Sequence, residues 1–294
     1  MTRLLILGAG GMLGHKLWQT AATSGDAWAT IRTCPPGARG TGLFEHPQVI
    51  QGVDVTRLPT VQHLLDRLKP AVVVNCVGVI KQLAAAKDPV TSIGVNALFP
   101  HQLAELCRAR GIRLAHISTD CVFAGTRGGY REDDVTDAMD LYGRTKALGE
   151  VTGPGCITLR TSIIGRELTG ASGLVEWFLT KRGGSADGYR GAIFSGFTTI
   201  ELSRIVLEVI ERHPTLTGLY HVSAVPIGKF DLLSLLNEAF SAGVAITPRD
   251  EPRIDRSLDS QRFRDATGYQ PPSWGAMVQE LASDPTPYER WRQQ

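Results

Sequence analysis

The sequence predicts an α/β protein: a Rossmann-type doubly wound parallel sheet with a smaller C-terminal substrate-binding lobe. Three observations carry that expectation. Short apolar runs alternate with helical patterns through the first half of the 294-residue chain. The first run, LLILG at residues 4–8, breaks directly into the glycine-rich stretch GAGGMLG. A later run, AVVVNCVG at residues 71–78, is almost continuously apolar, the pattern of a strand covered by helices on both faces.

Taken in order, LLILG is the first strand, and MLGHKLWQTAATSG is a helix closing at Gly25. AWATIR, residues 27–32, is the second strand. A Pro- and Gly-rich loop leads to VIQGVDV, residues 49–55, and then to the helix LPTVQHLLDRLK, with Thr56 as its expected cap. AVVVNCVG is followed by the helix NALFPHQLAELCRARG, in spite of Pro100, and by the strand IRLAHIST. LYGRTKALGE, residues 141–150, is a helix, and GCITLRTSIIG, residues 155–165, is the next strand. Repeated β-α-β order implies right-handed crossovers. Beyond Gly165 the pattern loosens. It holds the helix GLVEWFLTKR, a glycine-rich loop at 183–191, the helix TTIELSRIVLEVIERH, the strand GLYHVS and the helix KFDLLSLLNEAFSAG. A tail rich in Pro and Arg starts at Ala245. We divide the chain into a dinucleotide-binding domain, residues 1–160, and a substrate-covering lobe, residues 161–294, interleaved with the last strands of the sheet.

Composition narrows the function. Hydrophobic residues make up 43% of the chain and charged residues 20%, which suits a globular core and excludes a disordered or fibrous chain. Net charge is +2 with no basic block, so no nucleic-acid partner is expected. The five cysteines are scattered and form no CxxC pair, and the seven histidines form no HExxH cluster. Neither a disulfide framework nor a metal site is expected, and a reducing compartment is. The apolar start is too short for a signal peptide, and no run approaches the roughly 20 residues that span a bilayer. A cytoplasmic protein with no membrane partner is the expectation.

Gly8, Gly11 and Gly14 form G-x-x-G-x-x-G between the first strand and the first helix. Glycines there permit the tight turn and let backbone N–H groups meet a pyrophosphate, while the helix N-terminus adds its partial positive charge. An NAD site offers an acid near the end of the second strand, but residues 27–42 contain no Asp or Glu. Arg32 and Arg39 stand there instead, and a guanidinium suits a 2′-phosphate, so NADP(H) is expected over NAD(H). Asp54 either receives the adenine amino group or caps the next helix. The expected cofactor contacts are Gly8, Gly11, Met12, Leu13, Gly14, Arg32, Asp54, Val55, Val77 and Gly78, joined by Tyr142 and Lys146.

In LYGRTKALGE, Tyr142 and Lys146 are four residues apart and share a helix face. Alone that spacing is common. Here it stands downstream of NCVGVIKQ and HISTDCVFAG, each at the carboxyl end of a strand, where open α/β sheets bind ligands. In this order, G-x-x-G-x-x-G, Asn-x-x-Gly, Ser-Thr-Asp-x-Val-Phe-x-Gly and Tyr-Gly-x-Thr-Lys resemble the extended short-chain dehydrogenases/reductases. The nearest branch is the dTDP-4-dehydrorhamnose reductase family. LRTSIIG, GLYHVS and SLDSQRFRDATGYQPPSW fit as well, so the resemblance covers nearly the whole chain.

The resemblance implies NADPH-dependent reduction of a nucleotide-linked 4-keto-6-deoxysugar for polysaccharide synthesis, with Tyr142 as general acid. Lys146 would favour the phenolate and hold the nicotinamide ribose, and Thr119 would polarise the carbonyl. Asn96 either supports a water relay or caps a turn. A dehydratase would carry an Asp-Glu pair after the threonine, whereas Asp120 and Cys121 follow Thr119. Cys121 is either a small buried side chain or an acid/base for epimerisation, which makes an epimerase/reductase the runner-up. A histidine partner is missing between His116 and His213. A regulatory subunit of methionine adenosyltransferase resembles the same reductases, so a non-catalytic dinucleotide-binding role is the third reading. Candidate substrate contacts are Lys81, Gln82, Asp120, Cys121, Arg166, Trp177 and Arg190. The family allows a homodimer.

Overall fold

The computed structural model describes residues 3–23, 25–81 and 87–292; Gln82 lies outside them. Its strands β1 (Leu4–Leu7), β2 (Ala27–Thr30), β3 (Val49–Ile50), β4 (Val72–Asn75), β5 (Arg113–Thr119) and β6 (Cys156–Thr161) enter one sheet. A seventh strand from the second half, β11 (Gly218–His221), joins it beside β6. All pairings are parallel, in the order Gly218–His221, β6, β5, β4, β1, β2, β3. The chain therefore reverses its direction of travel between β1 and β4, the kind of switch point at which open α/β sheets bind ligands.

Alternation along the strands feeds two cores. Ile6, Val74 and Ala115 face one side, where α1 (Met12–Ala22) and α7 (Thr199–Arg212) supply Leu13, Leu17, Leu202 and Ile205. Leu5, Leu7, Val73 and Leu114 face the other, against α2 (Leu58–Leu68) and α4 (Phe99–Arg108). Each buried Leu, Ile or Val among them contributes about 1.5–3 kcal/mol. These two layers hold the carboxyl ends of β1, β4 and β5 in fixed relation.

Several expectations shift. The third strand is two residues long because Gly52, at φ +77°, turns the chain, although Val53 and Val55 stay buried. Thr56 does not cap α2. Its N–H and hydroxyl both donate to Asp54 Oδ1, at 3.0 and 2.8 Å, and Arg57 occupies the cap position with no side-chain bond. The helix expected from Asn96 begins earlier, at α3 (Pro89–Ser92), where the Asp88 carboxylate accepts from Val90 N and Thr91 N. It passes through a π turn, Ile93–Leu98, into α4. That widened turn lies just before Pro100 and accommodates the N–H it lacks.

The strand expected over 155–165 divides at Ser162. Its first part remains in the sheet as β6, and β7 (Ile163–Ile164) leaves to pair with β10 (Phe197–Thr198). The glycine-rich stretch is not a loop but β8 (Ser185–Tyr189), paired in parallel with β13 (Ala245–Arg249). β9 (Ala192–Phe194) runs between β12 (Ile227–Gly228) and β14 (Ile254–Asp255). Small side chains hid these strands from a hydrophobic pattern. Helices α5 (Leu141–Leu148), α6 (Leu174–Leu179), α8 (Lys229–Ala239), α9 (Gln261–Thr267), α10 (Trp274–Ala282) and α11 (Tyr288–Arg292) complete the described chain. Among the described residues, no helix is long and apolar enough to cross a membrane.

Candidate active site

The dinucleotide end is built by close approach of backbone. A Cβ on Gly14 would lie 2.2 Å from the Gly8 carbonyl oxygen, so only glycine lets the first turn of α1 sit on the loop. Gly11 is the α1 N-cap, and neither a side-chain cap nor an acid occupies the first turn. The N–H groups of that turn are therefore open to an anion, and the residues fit a pyrophosphate. Val77 packs against Gly8 of this loop, whose helix end begins with Met12 and Leu13, and Gly78 follows Val77 beside the Asn96 amide. Arg32 is exposed at the β2 end and acts electrostatically on Asp54, whose carboxyl is held low chiefly by its bonds from Thr56. Asp54 thus stabilises its own turn, and Val55 is buried below it.

Thr119 ends β5. Its Oγ1 accepts from Cys121 N at 3.1 Å and donates to Asp120 Oδ1 at 3.2 Å. Helix α5 is started by Asp140, whose carboxylate accepts from Gly143 N at 2.9 Å, while Lys81 Nζ holds the other oxygen at 2.8 Å. Gly143 is required for contact: a Cβ there would lie 2.3 Å from the Cys121 carbonyl oxygen. This contact brings Tyr142 to the Thr119 hydroxyl. Burial is the largest influence on Tyr142 and pushes its phenol up, with the nearby Cys121 adding to it. The phenol is protonated at neutral pH and available as a proton donor.

Lys146 is 5% exposed, and its Nζ donates to the Ile117 carbonyl at 2.8 Å. Burial brings its ammonium down to about 8, opposed by the Glu150 carboxylate and by Cys76. Glu150, one turn beyond Lys146, is itself fixed from three directions. Ser118 Oγ donates to it at 2.6 Å, and Arg160 donates through Nε at 2.7 Å and Nη2 at 2.6 Å. The third Arg160 nitrogen, Nη1, lies 3.1 Å from His221 Nε2, and His221 Nδ1 lies 2.9 Å from the Tyr130 carbonyl. Tyr130 stacks on Phe123 at 4.1 Å. Burial and the Arg160 charge hold His221 down to about 4, so it stays neutral with Nδ1 as donor. Beyond the tyrosine and lysine, Glu150, four residues after Lys146, is the signal in the sequence for this support.

Asp120 is buried and burial raises its carboxyl, while bonds from Cys121, Thr119 and Ser162 and the charge of Arg256 oppose the rise. Burial and Asp120 push the half-buried Cys121 thiol up to about 12, which keeps it neutral. Arg256 was missed. It donates from Nε to the Phe123 carbonyl at 2.7 Å and acts on Asp120, Cys121 and Asp140 together. Among many tail arginines nothing marked it; the pairing of β14 with β9 and the Thr126–Asp255 bridge bring it in. Asn96 is 1% exposed and its amide is closed on the Val79 backbone, accepting from N at 2.9 Å and donating to O at 3.0 Å. It pins the loop after β4 to the π turn.

Two expected substrate contacts lie elsewhere. Arg166 is buried, paired with Glu176 at 2.6 Å and Glu289 at 2.8 Å and packed over Tyr288, so its guanidinium is already satisfied. Trp177 is half-buried against the main core, as the apolar period of α6 requires. Arg190 is exposed, 3.5 Å from Asp250, on a cavity of about 420 Å³ lined also by Gly125, Arg127, Arg253 and Asp255.

Comparison with known proteins adds to this geometry. Residues 1–285 match the family described as the RmlD substrate binding domain. A dTDP-4-dehydrorhamnose reductase of Aggregatibacter actinomycetemcomitans is 28% identical over 306 residues, covering 96% of this chain and 98% of the relative. The methionine adenosyltransferase 2 subunit beta of Mus musculus is 30% identical over 148 residues, covering 50% of this chain and 41% of that subunit. A solved dTDP-4-dehydrorhamnose reductase of Bacillus anthracis, in complex with NADP, has the same fold. Its TM-score is 0.78 at 21% identity, covering 97% of this chain and all 100% of that one.

Proposed function

Because the chain belongs to the RmlD substrate-binding-domain family, in the dTDP-4-dehydrorhamnose reductase branch of the extended short-chain dehydrogenases/reductases, we propose that it reduces a nucleotide-linked 4-keto-6-deoxysugar with NADPH. The chain is an NAD(P)-dependent oxidoreductase. The substrate class follows the activity its full-length relative is named for, and glycan building blocks are the expected products. NADPH is favoured over NADH by Arg32 and Arg39 in a stretch without acids.

The observation that carries the reading is the set at the β5 end, where Thr119 and Lys146 are buried and Tyr142 is half-buried. Tyr142 faces Thr119, and Lys146 is locked one turn away against Ile117. The backbone of Gly8–Gly14 would hold the dinucleotide diphosphate, and Lys146 its nicotinamide ribose. When bound, the reduced nicotinamide supplies the hydride that the carbonyl carbon accepts. The Thr119 hydroxyl turns its one proton from Asp120 to the carbonyl oxygen and polarises it. Tyr142 gives that oxygen its phenolic proton as negative charge develops. The Lys146 ammonium then stabilises the phenolate left behind. Arg127, Arg190 and Arg253 offer cations to a sugar-linked diphosphate.

The neutral Cys121 thiol, kept protonated by burial and by the adjacent Asp120 carboxylate, supports reduction over epimerisation. The complete Thr119–Tyr142–Lys146 set supports catalysis over a purely regulatory role. The test is oxidation of NADPH and NADH by the purified protein with a panel of nucleotide-linked 4-keto-6-deoxysugars. Turnover with NADPH preferred is the expected result. Binding of NADPH without turnover of any ketosugar overturns the substrate assignment.

A further inference from the structure

Residues 284–292, which carry α11, lie across the dinucleotide end of the sheet. His15, in the first turn of α1, is fully buried. Its Nδ1 is 2.8 Å from the Gly11 carbonyl oxygen, which can only accept, so Nδ1 carries the proton and Nε2 the lone pair. Nε2 is 2.8 Å from the Tyr288 hydroxyl, which must therefore donate. Burial holds His15 down to about 4, so this neutral arrangement persists at working pH. The Gly11 carbonyl belongs to the N-cap of α1, in the middle of the phosphate loop.

The same segment is tied down on both sides of that contact. Lys16 Nζ lies 2.6 Å from Asp284 Oδ2, with the two side chains 8% and 5% exposed, and it also donates to Thr286 Oγ1 at 3.2 Å. Arg166 Nη2 lies 2.8 Å from Glu289. Farther along, a Cβ on Gly37 would lie 2.1 Å from the Trp291 carbonyl oxygen. Gly37 is in the turn Pro36–Ala38, on the loop that leaves β2 between Arg32 and Arg39. One segment of nine residues thus touches both backbone stretches that would surround the dinucleotide: the pyrophosphate loop and the loop at the adenosine ribose.

We propose that residues 284–292 are a built-in brace for the cofactor site, with Tyr288 and His15 as positioning residues. Tyr288 fixes His15, and His15 fixes the Gly11 carbonyl and with it the direction of the N–H groups that receive the pyrophosphate. Neither side chain touches the cofactor; both act through the loop. The proposal rests on the dinucleotide reading of that loop and is separable from it by experiment.

NADPH binding is measured directly, by fluorescence titration of the free protein, alongside amide hydrogen exchange at Gly11–Leu13 and thermal unfolding. Wild-type protein that does not bind NADPH sinks the dinucleotide reading itself. Given wild-type binding, Tyr288→Phe deletes one buried donor and should raise the NADPH Kd by about 5- to 20-fold, with faster exchange at the loop. His15→Leu should do the same. His15→Gln, whose amide can donate to Gly11 and accept from Tyr288, should return the Kd to within about threefold of wild type. An unchanged Kd in folded Tyr288→Phe or His15→Leu overturns the brace. So does a loss of thermal stability with no change in Kd or loop exchange. If Tyr288→Phe does not fold, the His15→Leu and His15→Gln pair decides, and equal Kd values for the two overturn the proposal.

Discussion

Charge is handled in opposite ways at the β5 end and at the cavity between Gly125 and Arg190. Behind Lys146, each charged group is enclosed: the Arg160 and Glu150 side chains are 5% and 9% exposed and share two hydrogen bonds. Around the cavity, the Arg127, Arg190 and Arg253 side chains are 56%, 56% and 77% exposed, each beside a single carboxylate. An exposed pair is worth about 0–1 kcal/mol, so a ligand phosphate can replace the carboxylate at little loss. A buried pair cannot trade partners, because removing one partner costs about 3–5 kcal/mol. The first region suits chemistry that needs fixed atoms. The second suits recognition of an anion that arrives with its own charge.

The sharpest way to break this contrast is at Tyr142. Tyr142→Phe removes the proton donor while keeping the ring that packs beside Thr119. The expected loss in kcat is about 10²- to 10⁴-fold, with NADPH affinity little changed. A kcat within a few-fold of wild type would mean that the fixed region does not supply the proton.

The enclosed region should also set the pH profile. A neutral amine at position 146 cannot stabilise the phenolate, and burial brings the Lys146 ammonium down to about 8. The kcat/KM for carbonyl reduction should therefore be full below pH 8 and fall by about tenfold per unit as pH rises through that value. Glu150 raises Lys146, so Glu150→Gln should move the limb to lower pH. The variant should also lose stability, because Arg160 would remain buried without its anion. A limb that stays in place in folded Glu150→Gln would show that the carboxylate does not act on Lys146.

The same contrast explains what was legible in the sequence. The first five strands and the glycine loop were readable because each is local. Leu4–Leu7, Val72–Asn75 and Arg113–Thr119 are buried on both faces, and a strand meeting a glycine-rich helix start needs only adjacent residues. Tyr142 and Lys146 were readable because a helix face has a fixed period. Partners distant in sequence were not. Arg166 pairs with Glu289 across 123 residues, which removes it from the substrate contacts expected of it, and His15 meets Tyr288 across 273. Arg256 enters the site only through strand pairing in the second lobe. The strand Ser185–Tyr189 was hidden because Ser, Ala and Gly leave no hydrophobic alternation to see.

A smaller effect sharpens the comparison from the other side. Arg190 stands at the cavity, 5.4 Å from the Phe230 ring and only loosely paired to Asp250. Arg190→Ala should raise the KM for the nucleotide sugar by about tenfold, equivalent to about 1.4 kcal/mol, with kcat nearly unchanged. Thermal stability should move by less than about 0.5 kcal/mol, as expected for an exposed substitution. The matching substitution at Arg166 should behave in reverse. Its guanidinium joins buried Glu176 to Glu289, so Arg166→Ala should destabilise the fold by about 3–5 kcal/mol without selective loss of substrate affinity. Steady-state kinetics and unfolding curves on the two variants decide the matter. If Arg190→Ala leaves KM unchanged, the loosely held cations do not receive the substrate, and the division between a region for chemistry and a region for recognition fails.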